Sequence, residues 1–242
     1  MSVPASTSAQ QRIGVFGGAF DPPHNAHLEL AKVAVAQMEL DKLCVVPTGH
    51  AWHKARTLSS AVHRLAMTRL AFEGVSRVVV DERELERSGP TFTIDTLEAL
   101  QSENPGAQLY LIMGADQFMA FQQWHRWQAI VGLAIICIAG RATSTVTQAQ
   151  IEAYSTLKGR FLQLSLPPMT VSATQIRQLL ASSAGKSTGI DQLVLELACG
   201  VQRVDVHHGQ ASAQDAEDGD RVLQAVGHHD RNAIALLQLQ LA

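Results

Sequence analysis

The chain has 242 residues, 46% of them hydrophobic and 17% charged, with a formal charge of −3 at neutral pH. That balance fits one α/β domain with a sizeable core, and the negative sign argues against a nucleic-acid-binding surface. Charges interrupt every apolar run before it reaches membrane-spanning length.

Residues 1–11, "MSVPASTSAQQ", are small and polar, with no basic start and no apolar stretch, and read as a flexible N-terminus. From there short β-like runs alternate with helix-length segments. "RIGVFGG" leads into a helix expected from about His24 to Leu40, and "KLCVVPT" follows. After the loop "GHAWHKARTL" comes a helix opened by "SSAVHRLAMTRLAFE", then a third strand, "RVVVDER". "GPTFTIDTLEALQSE" is a loop and helix, and "QLYLIMGAD" and "LAIICIAG" are two more strands separated by the helical "FMAFQQWHRWQAIV". Strands of nearly continuous Val, Ile and Leu are buried on both faces, as in a parallel sheet. Strand and helix in regular alternation imply right-handed βαβ units, hence an α/β fold with a doubly wound parallel sheet and helices on both faces. Ligands in such sheets bind beyond the carboxyl ends of the strands, so the loops after the first, second and fifth strands should carry function.

Cys44, Cys137 and Cys199 are far apart, and the first two sit in apolar runs. An odd, isolated set reads as buried thiols in a reducing compartment, the cytoplasm. The domain is expected over residues 12–202 and an acidic tail over 203–242. From Arg203 onward three arginines face six carboxylates, which accounts for the whole formal charge. "SAQDAEDGD" has the composition of a disordered segment, while "RNAIALLQLQLA" fits a terminal helix. The pairs His207/His208 and His228/His229 lack ligand-spaced cysteines or carboxylates and are not read as a metal site.

The densest chemistry lies in "GGAFDPPHNAH". Gly17 and Gly18 end the first strand and let a ligand approach the backbone, with Ala19 and Phe20 next. The glycines do not fit the dinucleotide fingerprint. Pro22 and Pro23 stiffen the approach to a helix whose first turn should place His24 and His27 on one face. A helix N-terminus favours an anion, and two imidazoles beside it suggest phosphate chemistry. Far downstream, "VSATQIR" opens a second helix with Ser172 and Thr174 as cap hydroxyls and Arg177 in the first turn, a fork suited to an oxyanion.

Two decoys fail. "AGKST" resembles the end of a phosphate-binding loop, but Leu180 stands where its first glycine is required. Asp81, Glu82, Glu84 and Glu86, interspersed with Arg83 and Arg87, read as a solvated loop with salt bridges and not as a metal cluster.

"GGAFDPPHNAH" resembles the H-x-G-H signature of the nucleotidylyltransferase superfamily, with Ala19 for the usual Ser or Thr and Ala26 for the glycine between the histidines. "VSATQIR" resembles that superfamily's second signature, I-S-S-T-x-x-R, with Ala173 for a serine. "VPTGHAWHKAR", "DERELERSGPTFTIDTLEAL" and "LIMGADQFMAFQQWHRW" look like segments of the bacterial nicotinate-mononucleotide adenylyltransferases. The resemblance spans Arg12 to Leu197, and the tail departs from it.

The resemblance implies a Rossmann-like fold and transfer of the adenylyl group of ATP, with Mg²⁺, to nicotinate mononucleotide. His24 and His27 would contact ATP phosphates, assisted by the amides of Gly17–Ala19. Arg177, Ser172 and Thr174 would take the β- and γ-phosphates, and Lys54, or less well His53, phosphate near the acceptor. Asp116 would contact the adenosine side. Thr91 and Thr93 would hold the nicotinate end, Trp124 would stack on the pyridine ring, and His125 would help bind its carboxylate, with Phe92 in an aromatic slot. Mg²⁺ would ride on ATP oxygens and water without a dedicated carboxylate cage. Alternatives are a sibling adenylyltransferase using nicotinamide mononucleotide, and a catalytically silent nucleotide-binding module. The oligomeric state is left open.

Overall fold

A computed structural model describes residues 10–49, 58–140, 160–167 and 172–183. Lys54, His53, Cys199, the N-terminal nine residues and the acidic tail with its histidine pairs lie outside the described residues. The chain divides into two compact units. One comprises Met1–Gly18, Glu29–His53 and Val75–Met169; the other comprises Ala19–Leu28, Lys54–Gly74 and Thr170–Ala242.

The first unit holds the sheet. Among the described residues six strands pair in the order β3-β2-β1-β4-β5-β6, every neighbouring pair parallel. They are β1 Arg12–Gly18, β2 Lys42–Pro47, β3 Val78–Val80, β4 Gln108–Gly114, β5 Ala134–Ala139 and β6 Phe161–Leu164. The sixth strand, β6, is absent from the sequence-based expectation, which has five. It is an edge strand with Leu162 and Gln163 exposed, so it lacks the continuous apolar run that marks the central strands. Between the strands of this unit run most of α1 (Asn25–Gln37), α3 (Arg83–Glu86), α4 (Thr93–Glu103), α5 (Ala115–Met119) and α6 (Trp127–Leu133).

One face of the sheet, with Ile13, Val15, Leu109, Leu111, Ile136 and Ile138, packs on Ile94, Leu97 and Leu100 of α4 and Ile130 of α6. On β1 the opposite face carries Gly14, where a Cβ would lie 2.5 Å from a Leu40 methyl and 2.6 Å from a Leu43 methyl. The strand order reverses between β1 and β4, so their carboxyl ends, Gly18 and Gly114, border the crevice where such sheets bind ligands.

The expected helix over "FMAFQQWHRWQAIV" is broken instead into α5, a 3₁₀ turn (Phe121–Gln123) and α6. Phe118, Phe121, Trp124 and Trp127, spaced by three, all pack on the core. In one straight α-helix that spacing would drift by about 180° from first to last. The break, with Arg126 in left-handed conformation (φ 52°, ψ 40°), resets the face before α6.

The second unit holds α2 (Ala61–Phe72), capped by the Ser60 hydroxyl accepting from the His63 N–H, and α7 (Ala173–Ser183), together with the first turn of α1.

Candidate active site

In the second unit the chain leaves Gly18 and turns sharply. Phe20 adopts a left-handed backbone (φ 46°), which costs an L-residue roughly 1–2 kcal/mol. Burial of its ring, edge-on to Phe72 at 6.0 Å, offsets that by roughly 1.5–3 kcal/mol. Both flanks of Phe20 are pinned. Arg64 Nη1 donates to the Ala19 carbonyl at 3.0 Å and Arg64 Nε to the Ser59 carbonyl at 3.1 Å. The Ser59 N–H donates to the Asp21 carboxylate at 3.2 Å, and Arg177 Nη1 donates to the Asp21 carbonyl at 2.6 Å.

His24 sits one residue before α1 as its N-cap, not in the first turn: its carbonyl accepts from the N–H groups of His27 (2.8 Å) and Leu28 (3.3 Å). The His24 N–H in turn donates to His27 Nδ1 at 3.2 Å, so the third helical side chain reaches back to the cap as in a capping box. An accepting Nδ1 puts the proton of a neutral His27 on Nε2, which makes Nε2 a donor. The two rings stack with centroids 3.8 Å apart, and Phe20 lies edge-on to His27 at 5.1 Å. His24 is 6% exposed. The sequence placed both imidazoles at one helix start, and they do meet there.

Ser172 caps α7: its hydroxyl accepts from the Gln175 N–H at 3.3 Å, and its own N–H donates to Gln175 Oε1 at 2.9 Å. Thr174 is exposed and accepts from Arg177 Nη2 at 3.1 Å. Residues 21, 24, 27, 174 and 177 belong to one unit, in which the Arg177–Asp21 bond is a long-range tie.

The sheet unit carries the other named residues. Gly17 is exposed with open space where a side chain would stand. Asp116 is exposed in the first turn of α5, its carboxylate 2.6 Å from where a Cβ on Gly114 would lie. Thr91 is buried, while Thr93 opens α4 half-buried. The Phe92 ring lies 4.3 Å from that of His125, tilted by 32°. Trp124 is half-buried, edge-on to Phe121 at 5.5 Å, and His125 beside it is exposed. The Arg126–Glu98 ion pair at 2.9 Å ties this turn to α4.

The acidic cluster differs from expectation. Asp81 does pair with Arg83 at 2.8 Å, and Arg83 also with Glu103; desolvation pushes the Asp81 carboxyl up, but its hydrogen bonds with Arg83 outweigh that and hold it below its ordinary range. Glu84, however, is 7% exposed, not solvated, and its carboxylate accepts from the Thr96 hydroxyl at 2.8 Å. Its partner is twelve residues away, beyond the reach of a local charge pattern. Arg64, 3% exposed, has no counterpart in the sequence-based expectation, although its place on the stripe Arg64, Met67, Thr68, Ala71, Phe72 marks an inward-facing charge. Among the described residues no group of three His, Cys, Asp or Glu side chains converges as a metal cage, and no helix is long and apolar enough to cross a membrane.

A family model described as cytidylyltransferase-like matches residues 15–179. A probable nicotinate-nucleotide adenylyltransferase of Albidiferax ferrireducens is 56% identical over 172 residues, covering 71% of this chain and 87% of that protein. The protein of the same name from Methylibium petroleiphilum is 40% identical over 190 residues, 78% of this chain and 88% of its own. Among solved structures, Plasmodium falciparum nicotinic acid mononucleotide adenylyltransferase complexed with NaAD superposes with a TM-score of 0.61. It is 19% identical, covering 76% of this chain and 89% of that one, and shares the fold.

Proposed function

The chain belongs to the nicotinate-nucleotide adenylyltransferase family, and on that premise we propose that it transfers the adenylyl group of ATP to nicotinate mononucleotide. The observation that carries the mechanism is the stacked His24–His27 pair at the start of α1, in one unit with Arg177.

A 5′-phosphate oxygen of nicotinate mononucleotide attacks the α-phosphorus of ATP, forming a new P–O bond. The bond from that phosphorus to the α–β bridging oxygen breaks, and its electron pair leaves with pyrophosphate; nicotinate adenine dinucleotide is the other product. The attacking phosphate is already anionic at neutral pH, so no general base is required. The protein's task is orientation and stabilisation of charge on oxygens. His27 Nε2 and the His24 ring serve as donors to ATP phosphate, aided by the positive end of the thirteen-residue α1 and by the amides of Gly17, Gly18 and Ala19. Arg177 takes the departing phosphates; its bonds to the Asp21 carbonyl and Thr174 place the guanidinium, while Ser172 acts through the cap of α7. ATP enters as its Mg²⁺ salt, with the ion held by phosphate oxygens and water and counted with the substrate. Lys54 is assigned to phosphate near the acceptor and Asp116 to the adenosine.

In the acceptor pocket Trp124 stacks on the pyridine ring, and Thr91, Thr93 and His125 hold its carboxylate end. The half-exposure of Trp124 and the seat of His125 against Phe92 support this assignment. The buried thiols Cys44 and Cys137 support a reducing, cytoplasmic setting. The test is pyrophosphate release from ATP and Mg²⁺ with nicotinate mononucleotide or nicotinamide mononucleotide at equal concentration. A strong preference for the acid is expected. Release with neither, alongside ATP binding, would leave a nucleotide-binding module.

A further inference from the structure

Among the described residues of the sheet unit, Glu84 is the one buried acid, and the phosphate and pyridine contacts assign it no task. Three chain segments converge on it. The Gly49 N–H, just past β2, donates to its carboxylate. The Thr96 hydroxyl donates at 2.8 Å, and Thr96 itself accepts from Arg87 Nη1 at 3.0 Å, so the proton order runs from Arg87 through Thr96 to Glu84. The Thr91 hydroxyl faces the same carboxylate and is buried, without a hydrogen bond of good geometry to any described residue. Packing around Gly49 is equally close: a Cβ there would lie 2.1 Å from the Glu84 carbonyl oxygen and 2.9 Å from Thr91 Cγ2.

Burying a carboxylate is costly, and a neutral or apolar side chain of similar volume would hold a core at lower cost. What a carboxylate supplies and an apolar group does not is several acceptor positions with fixed directions. Those positions are used to join the end of β2 to the start of α4. We propose that Glu84 is a positioning residue of the acceptor pocket: by accepting from Gly49 and Thr96 beside Thr91, it fixes the Thr91–Thr93 turn against the end of β2 for nicotinate mononucleotide. This rests on the acceptor assignment above.

The experiment compares wild type, Glu84→Gln and Thr96→Val in two measurements. Steady-state kinetics vary nicotinate mononucleotide and ATP separately, and amide hydrogen exchange of the ligand-free protein follows Gly49 and residues 91–96. In Glu84→Gln the KM for nicotinate mononucleotide should rise at least about tenfold while that for ATP stays within about twofold, because the damage is confined to acceptor binding. Exchange at Gly49 and Thr91–Thr93 should quicken. A lower melting temperature with both KM values and exchange unchanged would overturn the proposal and leave Glu84 merely structural. If wild type does not use nicotinate mononucleotide, the functional reading fails; exchange then decides alone, and unchanged exchange overturns the positioning. Should Glu84→Gln not fold, Thr96→Val, which removes one donor and keeps the charge, must show the same pattern in weaker form.

Discussion

His27 serves the fold and, on the proposed mechanism, the chemistry, and two substitutions pull these roles apart. His27→Ala removes the acceptor for the His24 N–H, a cap interaction worth about 1 kcal/mol. It also removes the 3.8 Å stack on His24 and the edge contact with Phe20, together worth about another 1 kcal/mol. A loss of about 2 kcal/mol corresponds to a fall of roughly 4–8 °C in melting temperature for a chain of this size. Turnover should fall by roughly 10²–10³, the usual effect of removing a donor to developing negative charge. His27→Glu restores the cap acceptor, since glutamate is the favoured third residue of a capping box, and should recover about 1 kcal/mol. Its carboxylate repels phosphate, so turnover should fall below that of the alanine variant. Thermal melts and pyrophosphate release on the same preparations make the comparison. Turnover in the glutamate variant equal to or above the alanine variant would refute the donor role, and an alanine variant as stable as wild type would refute the cap.

Arg177→Lys keeps the charge but loses the planar fork that spans the Asp21 carbonyl and Thr174; kcat should fall by roughly 10²-fold with the fold intact, read by pyrophosphate release and circular dichroism. Gly14→Ala drives a methyl against Leu40 and Leu43 and should cost roughly 1–3 kcal/mol in urea unfolding, with KM values unchanged. Desolvation, only partly offset by the Thr96 hydroxyl, raises the Glu84 carboxyl above its ordinary range. The folded chain therefore binds this proton more tightly than the unfolded chain, and the group's contribution to stability is present at low pH and lost as pH rises through the folded-state value. Urea midpoints of wild type and Glu84→Gln should accordingly shift in favour of wild type between about pH 8 and about pH 5; a shift the other way would refute the assignment of burial as the cause.

The sheet was legible because its central strands are written as unbroken apolar runs, and β1, β2, β4 and β5 fall where those runs lie. Edge strand β6 was not, since with Leu162 and Gln163 facing solvent its pattern matches a loop. The two histidines and Arg177 could be named from signatures, but the bond that joins Arg177 to the Asp21 carbonyl spans most of the chain, and no local pattern encodes it. Glu84 was misread for a related reason. Charge alternation describes neighbours, whereas burial depends on what folds over them, here Gly49 and Thr96. Arg64 differs: the helical stripe that buries it was present in the letters, and reading α2 by its apolar face would have found it.

The Arg177–Asp21 bond also sets a schedule. It joins residues 156 positions apart. At roughly 5–20 residues per second, synthesis separates the two partners by roughly 8–30 s. During that interval β2 through β6 are made and can pair onto β1, while the histidine pair waits at the start of α1 without Arg177. The unit to which the proposed mechanism assigns the phosphates is therefore the last part of the described chain that can be completed. A nascent chain that has emerged as far as residue 167, with the rest still enclosed by the ribosome, would present all six described strands and lack α7.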